Sequence, residues 1–173
     1  ILGFLNPYEG KIYFNDKIVK NSSIMFYCNS AYMPQDPFIL DEDLITNITL
    51  ESDDEKINQI KLQNAIKHSN ITKFVENLPH GIKTVIGGKK GVRLSGGQYR
   101  RLALARAFYH GKDLIVMDEA TSSLDLETEN LILDQIKDMK GKITIIVISH
   151  QKNTLKYCDK VYEIKKNKII LKS

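Results

Sequence analysis

Three short strings in this chain have residue types and spacing that could do chemistry. In Leu94-Ser95-Gly96-Gly97-Gln98, a serine and two glycines open a helical pattern. Glycine lets backbone come close to a bound phosphate, and the free amides and macrodipole of a helix start favour an anion there. A turn or linker would use the same residues, so the string gains weight from its neighbours. Leu114-Ile115-Val116-Met117-Asp118-Glu119 is an apolar run too short for a helix, and it ends in two carboxylates. It reads as a buried parallel strand, and open α/β sheets bind ligands at the carboxyl ends of such strands. One acid could hold a hydrated metal ion there while the other polarises water; a solvated strand end is the plain alternative. Ile143-Thr144-Ile145-Ile146-Val147-Ile148-Ser149-His150 is a second strand that also ends on a titratable group.

The intervening segments must position these groups. Tyr99 to Phe108 has Leu102, Ala105 and Phe108 at helical spacing, which predicts one buried stripe with the arginines turned away. A polar helix with Ile132, Ile136 and Met139 on its buried side joins the two strands. Strand, helix and strand form a right-handed crossover, so Glu119 and His150 are expected at one edge of a parallel sheet. Upstream, Lys11–Phe14 and Lys17–Val19 flank Asn15-Asp16 as a hairpin. Glu55 to Lys67 has Ile57, Ile60, Asn64 and Lys67 at helical spacing, with Ala65 and Ile66 nearby, and Ile71 to Leu78 reads as a shorter helix.

With 173 residues, 42% of them hydrophobic, the chain is expected to form one domain with a real core. The net charge of +4 is mildly basic, and Lys165-Lys166-Asn167-Lys168 reads as a solvated hairpin turn rather than a nucleic-acid or lipid site. Cys28 and Cys158 match no metal spacing and are too few for a disulfide framework, which fits a reducing, cytosolic setting. No run reaches the roughly 20 apolar residues that span a bilayer, so any membrane part is expected elsewhere. His68, His80 and His110 lack the strand-end setting of His150 and read as ordinary polar residues.

Together with Tyr32-Met33-Pro34-Gln35 and Ser122-Ser123-Leu124-Asp125, these strings resemble, in order, the motifs of the ATP-binding cassette family across essentially the whole chain. The resemblance implies an α/β, P-loop NTPase-like ATPase: a single nucleotide-binding domain over residues 1–173 with a parallel core sheet. Its parts would be a small antiparallel β subdomain within about 1–30, a helical subdomain with the signature motif within about 41–108, and the core sheet within about 109–173. By the same resemblance Asp118 and Gln35 would attend Mg²⁺, Glu119 would act on the attacking water and His150 would contact the γ-phosphate. Ser95, Gly96, Gly97 and Gln98 would contact ATP held by a second nucleotide-binding domain arranged head to tail, with Asp125 also at the nucleotide site and tuning communication across the dimer.

Leu78-Pro79-His80-Gly81-Ile82-Lys83-Thr84-Val85-Ile86-Gly87 resembles the segment that precedes the signature in exporter-type domains. Gly88-Lys89-Lys90-Gly91 departs from the Glu-Arg-Gly that commonly follows, and the charge of the expected glutamate is gone. Gln35 and Leu94 are 59 positions apart, too close for the long coiled-coil arm of family members that handle DNA. The resemblance therefore implies an exporter ATPase at the cytoplasmic face of the cell membrane, with a fused or associated transmembrane domain and no nucleic acid. A soluble ATPase acting on nucleic acid or ribosomes is one alternative, and a non-catalytic remnant is another. No Gly-Lys-Ser or Gly-Lys-Thr phosphate loop occurs, and Ile1–Leu5 reads as the end of a helix. An amino-terminally truncated domain, inactive by itself, is the expectation. The missing phosphate-loop strand is expected at the centre of the sheet, beside the strands ending at Glu119 and His150, so its absence should expose apolar edges prone to aggregation.

Overall fold

The computed structural model describes residues 8–14, 16–19, 29–119, 126–166 and 168–172. The readings made for Ile1–Leu5, Cys28 and Ser122–Asp125 lie outside the described residues.

Three parallel strands form the central sheet: β3 (Ser30–Met33), β4 (Leu114–Asp118) and β5 (Thr144–Ile148), in the order β3-β4-β5. Leu114 to Met117 are all buried, as the uninterrupted apolar run requires of a strand covered on both faces. Two small antiparallel hairpins flank it in sequence, β1 (Ile12–Phe14) with β2 (Lys17–Val19) and β6 (Tyr162–Lys165) with β7 (Lys168–Leu171). The fold is therefore α/β, with a parallel core and small antiparallel pieces. One expectation about the sheet needs correction. β4 is paired on both sides, by β3 and by β5, so no further strand can lie beside the one ending at Glu119. Among the described residues only the outer edges of β3 and β5 are open, and β5 is half-exposed along its length.

The helices are α1 (Leu44–Thr49), α2 (Gln59–His68), α3 (Thr72–Glu76), α4 (Gly96–Tyr109), α5 (Leu126–Asp138) and α6 (Lys152–Leu155). Among the described residues no helix is long and apolar enough to cross a membrane. The expected continuous helix over Glu55–Lys67 is broken. A 3₁₀ turn at Asp54–Lys56 ends at the extended residue Ile57, and Asn58 then caps α2, its Oδ1 accepting from Lys61 N at 3.0 Å. Ile57 is buried ahead of α2, and within α2 Leu62 and Ala65 form the buried face, so Asn64 and Lys67 on the other side are exposed and Ile60 is 73% exposed.

α4 also departs from the one-stripe expectation. Leu102 and Ala105 pack in a core with α1, α2 and Ile86, whereas Ala103, Leu104 and Ala107 pack in a second core with β3, β4 and α5. A helix buried on two sides has little solvent face to give its arginines, so they are not turned away. Arg106 donates from Nε to Asn47 O at 2.9 Å and from Nη1 to Phe38 O at 3.2 Å; Arg101 Nη1 reaches Asn70 O at 3.0 Å. Arg100 is only 7% exposed, and its Nε has no hydrogen-bond partner among the described residues. Fully buried Asn47 shapes the segment between β3 and α1: its side chain accepts from Leu40 N at 2.8 Å and donates to the carbonyls of Leu40, Glu42 and Asp43. On α5 and just past its end, the expected stripe of Ile132, Ile136 and Met139 is buried, together with Leu133.

Candidate functional site

Strand register brings the titratable groups together. Met33 pairs with Met117, and Asp118 pairs with Ile148, so the three strands end at one edge. Gln35 follows β3 by two residues, Glu119 follows β4 directly, and His150 follows β5 by two. Glu119 N still donates to Ile148 O at 2.9 Å, extending the ladder by one bond, while its φ of 49° lies in the left-handed region. That conformation costs a non-glycine residue about 1–2 kcal/mol and takes Glu119 out of the strand's alternation. Its Oε1 lies 3.4 Å from His150 Nε2, so the expectation that Glu119 and His150 emerge together holds. The His150 side chain is 91% exposed and accessible to an incoming group.

Asp118 has a partner that the sequence did not reveal. Tyr32 pairs with Val116, and Asp118 is two residues further along the same strand face. The Tyr32 hydroxyl donates to Asp118 Oδ2 at 2.9 Å. This bond is the chief cause that raises the Tyr32 pKa above its ordinary value, because an ionised phenol would lose the bond and face a carboxylate. The signal lay inside the quoted string Tyr32-Met33-Pro34-Gln35, but only the register of two strands distant in sequence gives the hydroxyl a partner.

The start of α4 is built differently. Ser95 is the N-cap: its Oγ accepts from Gln98 N at 3.3 Å, and Gln98 Oε1 accepts from Ser95 N at 2.8 Å, a reciprocal capping box. The cap leaves the Gly96 and Gly97 amides, in the first turn, without a helical carbonyl to bond. Ser95 and Gly96 are exposed, and a Cβ built on Gly96 would meet nothing within 4 Å, so the space beside Gly96 is open. The Gln98 oxygen is engaged in the cap, so what this turn offers an anion is chiefly backbone amide and helix dipole.

A cavity of about 170 Å³ brings Gln35 and Asp36 together with Gly96, Tyr99 and Arg100. The structure thus joins Gln35 to the start of α4 as well as to the sheet edge. Arg100 is a second feature missed in the sequence, where it read as one more outward arginine. The exporter-like segment folds back on α1, with Leu44 N donating to Thr84 O and Ile86 N to Glu42 O, both at 3.0 Å. Gly88 has φ 56°, and a Cβ there would lie 2.7 Å from the carboxyl carbon of Asp41. A carboxylate therefore stands at this turn although the expected glutamate is missing. His68 meets Phe108 edge-on at 6.3 Å, a packing role that agrees with its being left aside.

Among the described residues no group of three or more His, Cys, Asp or Glu side chains could hold a metal ion. The Asp118 carboxylate at the end of β4 is the kind of group that fits Mg²⁺, which is commonly held by one or two carboxylates together with water and substrate phosphates.

A family model described as "ABC transporter" matches residues 1–122. The multidrug resistance-like ATP-binding protein MdlB of Buchnera aphidicola subsp. Schizaphis graminum is 33% identical over 171 residues, covering 98% of this chain and 29% of that protein. The ATP-dependent lipid A-core flippase of Cupriavidus pinatubonensis is 31% identical over 160 residues, covering 91% of this chain and 27% of the flippase. A bacterial Atm1-family ABC exporter solved with ATP bound superposes with a TM-score of 0.84 at 26% identity, over 97% of this chain and 29% of the exporter. The chain thus spans less than a third of the length of these relatives.

Proposed function

Because this chain belongs to the ATP-binding cassette transporter family, we propose that it serves as the ATP-hydrolysing, nucleotide-binding part of an exporter. Multidrug resistance and lipid A-core flipping are said of relatives; the cargo here would be chosen by the transmembrane domain. The activity would be exerted at the cytoplasmic face of the cell membrane, through a transmembrane domain fused to the chain or associated with it. A second nucleotide-binding domain would complete each ATP site head to tail.

The observation that carries this reading is the convergence of Asp118, Glu119 and His150 at one sheet edge, with Glu119 and His150 3.4 Å apart. Bound Mg²⁺ would supply charge to the phosphates. Asp118 would hold its water shell, and Gln35 would reach toward it from the end of β3. Glu119 would orient or deprotonate the attacking water, a role worth about 10²- to 10⁴-fold in rate. His150, exposed beside it, would meet the γ-phosphate and fix that water in line. The Gly96 and Gly97 amides, with the Ser95 hydroxyl, would receive the γ-phosphate of ATP held by the opposite domain. Gln98 would contribute by holding the cap, and Asp125 by linking the two sites.

ATP turnover by the full-length protein in lipid tests the reading. Glu119→Gln is expected to lower the rate by about 10²- to 10⁴-fold while ATP stays bound. Unchanged turnover would remove Glu119 from the reaction.

A further inference from the structure

We propose that Tyr32 is a positioning residue for the metal-holding carboxylate: its hydroxyl pins one oxygen of Asp118 so that the other stays directed at the cation. This inference rests on the reading of Asp118 as the Mg²⁺ residue.

The geometry is explicit. The two residues lie 86 positions apart in sequence, and the hydroxyl reaches Asp118 Oδ2 at 2.9 Å. Four residue pairs fix the register of β3 on β4, so the backbone of the sheet sets where the phenol stands. An O–H···carboxylate bond is charge-assisted and stronger than a neutral one. A carboxylate has about four acceptor sites on two oxygens, so occupying Oδ2 from one side leaves Oδ1 available.

Mg²⁺ makes such pinning matter, because it demands near-ideal octahedral geometry and keeps several of its waters, so a carboxylate that holds that water shell must be aimed in advance. An aspartate at a strand end, without a second contact, would have to be ordered when the cation arrives. Here that order is present beforehand. Packing does not explain the tyrosine, since it is 42% exposed and phenylalanine would fill the same space. The bond has a further consequence for Gln35, three residues on. It ties the end of β3, from which Gln35 departs, to the carboxylate of β4, so both groups assigned to the cation share one anchor.

Tyr32→Phe in the full-length protein removes the hydroxyl and keeps the ring. In a Glu119→Gln background, where turnover is already suppressed, ATP retention can be titrated with Mg²⁺, and Mn²⁺ uptake with ATP can be followed by electron paramagnetic resonance. Partners of metal ligands commonly affect affinity 10- to 100-fold, so the half-saturating cation concentration is expected to rise about tenfold. ATP binding in excess chelator should be unchanged, whereas a merely structural defect would weaken it too. An unchanged Mg²⁺ midpoint in Tyr32→Phe would overturn the inference, as would equal losses with and without the cation. Asp118→Asn separates the two failures. If Asp118→Asn shifts the midpoint and Tyr32→Phe does not, only the role of Tyr32 falls; if neither shifts it, the metal reading of Asp118 falls and takes the role of Tyr32 with it.

Discussion

The carboxyl edge of the sheet and the start of α4 are built on opposite plans. At the sheet edge the chemistry resides in side chains, and another strand steadies each one: the Tyr32 hydroxyl on Asp118, the Ile148 carbonyl on the Glu119 amide, and His150 against the Glu119 carboxylate. At the start of α4 the chemistry resides in backbone. Ser95 and Gln98 bond each other, the first-turn glycine amides have no helical carbonyl to bond, and the space beside Gly96 is open. The first region is preassembled from titratable groups, while the second offers donors that, on the proposed reading, an anion from outside would complete. Charge is oriented in one place and recognised in the other.

α4 connects the two plans, because its opposite sides pack into different cores. Leu104→Ala and Leu102→Ala are the strongest way to break the contrast. Each is expected to cost about 2–5 kcal/mol, but in different places. By hydrogen exchange in the full-length protein, Leu104→Ala should loosen β4 and the sheet edge, whereas Leu102→Ala should loosen α1 and α2. Equal loosening in both variants would show that α4 does not divide the cores.

Arg100→Met has a smaller expected effect with the opposite sign. Arg100 is buried and its Nε has no hydrogen-bond partner among the described residues, and replacing buried charge with apolar volume is often neutral or stabilising by up to about 4 kcal/mol. Slower exchange along α4 is the expected outcome. Faster exchange would mean that Arg100 pairs with an anion in the folded protein. Ser95→Ala is the finest probe. Loss of an N-cap costs about 1 kcal/mol, so the first-turn amides of α4 should exchange faster while those of β4 stay as they were. A change at β4 would mean that the two regions are coupled through more than packing.

What the sequence disclosed follows the same divide. β4, β5 and the meeting of Glu119 with His150 were legible because a short apolar run ending on a titratable group has one economical reading, and the crossover rule fixes the shared edge. The helix start at Ser95 was legible from a serine and two glycines ahead of a helical pattern, whereas its capping box with Gln98 was not. Features that depend on two distant segments were not. Tyr32 gains a partner only through strand register, and Ile60 is exposed because packing turns Leu62 and Ala65 of α2 to the core. The arginines of α4 were misjudged because periodicity along one helix reports one buried face well and two poorly. The place of β4 between two strands is likewise a property of pairing that no single segment encodes.

That the two regions complete one ATP site across two domains is tested most directly by ATP retention in the full-length Glu119→Gln protein, with and without Gly97→Asp. The added carboxylate puts negative charge where the amides of α4 would receive phosphate. The expected result is that Glu119→Gln holds ATP and the double variant releases it; equal retention by both would contradict a shared site.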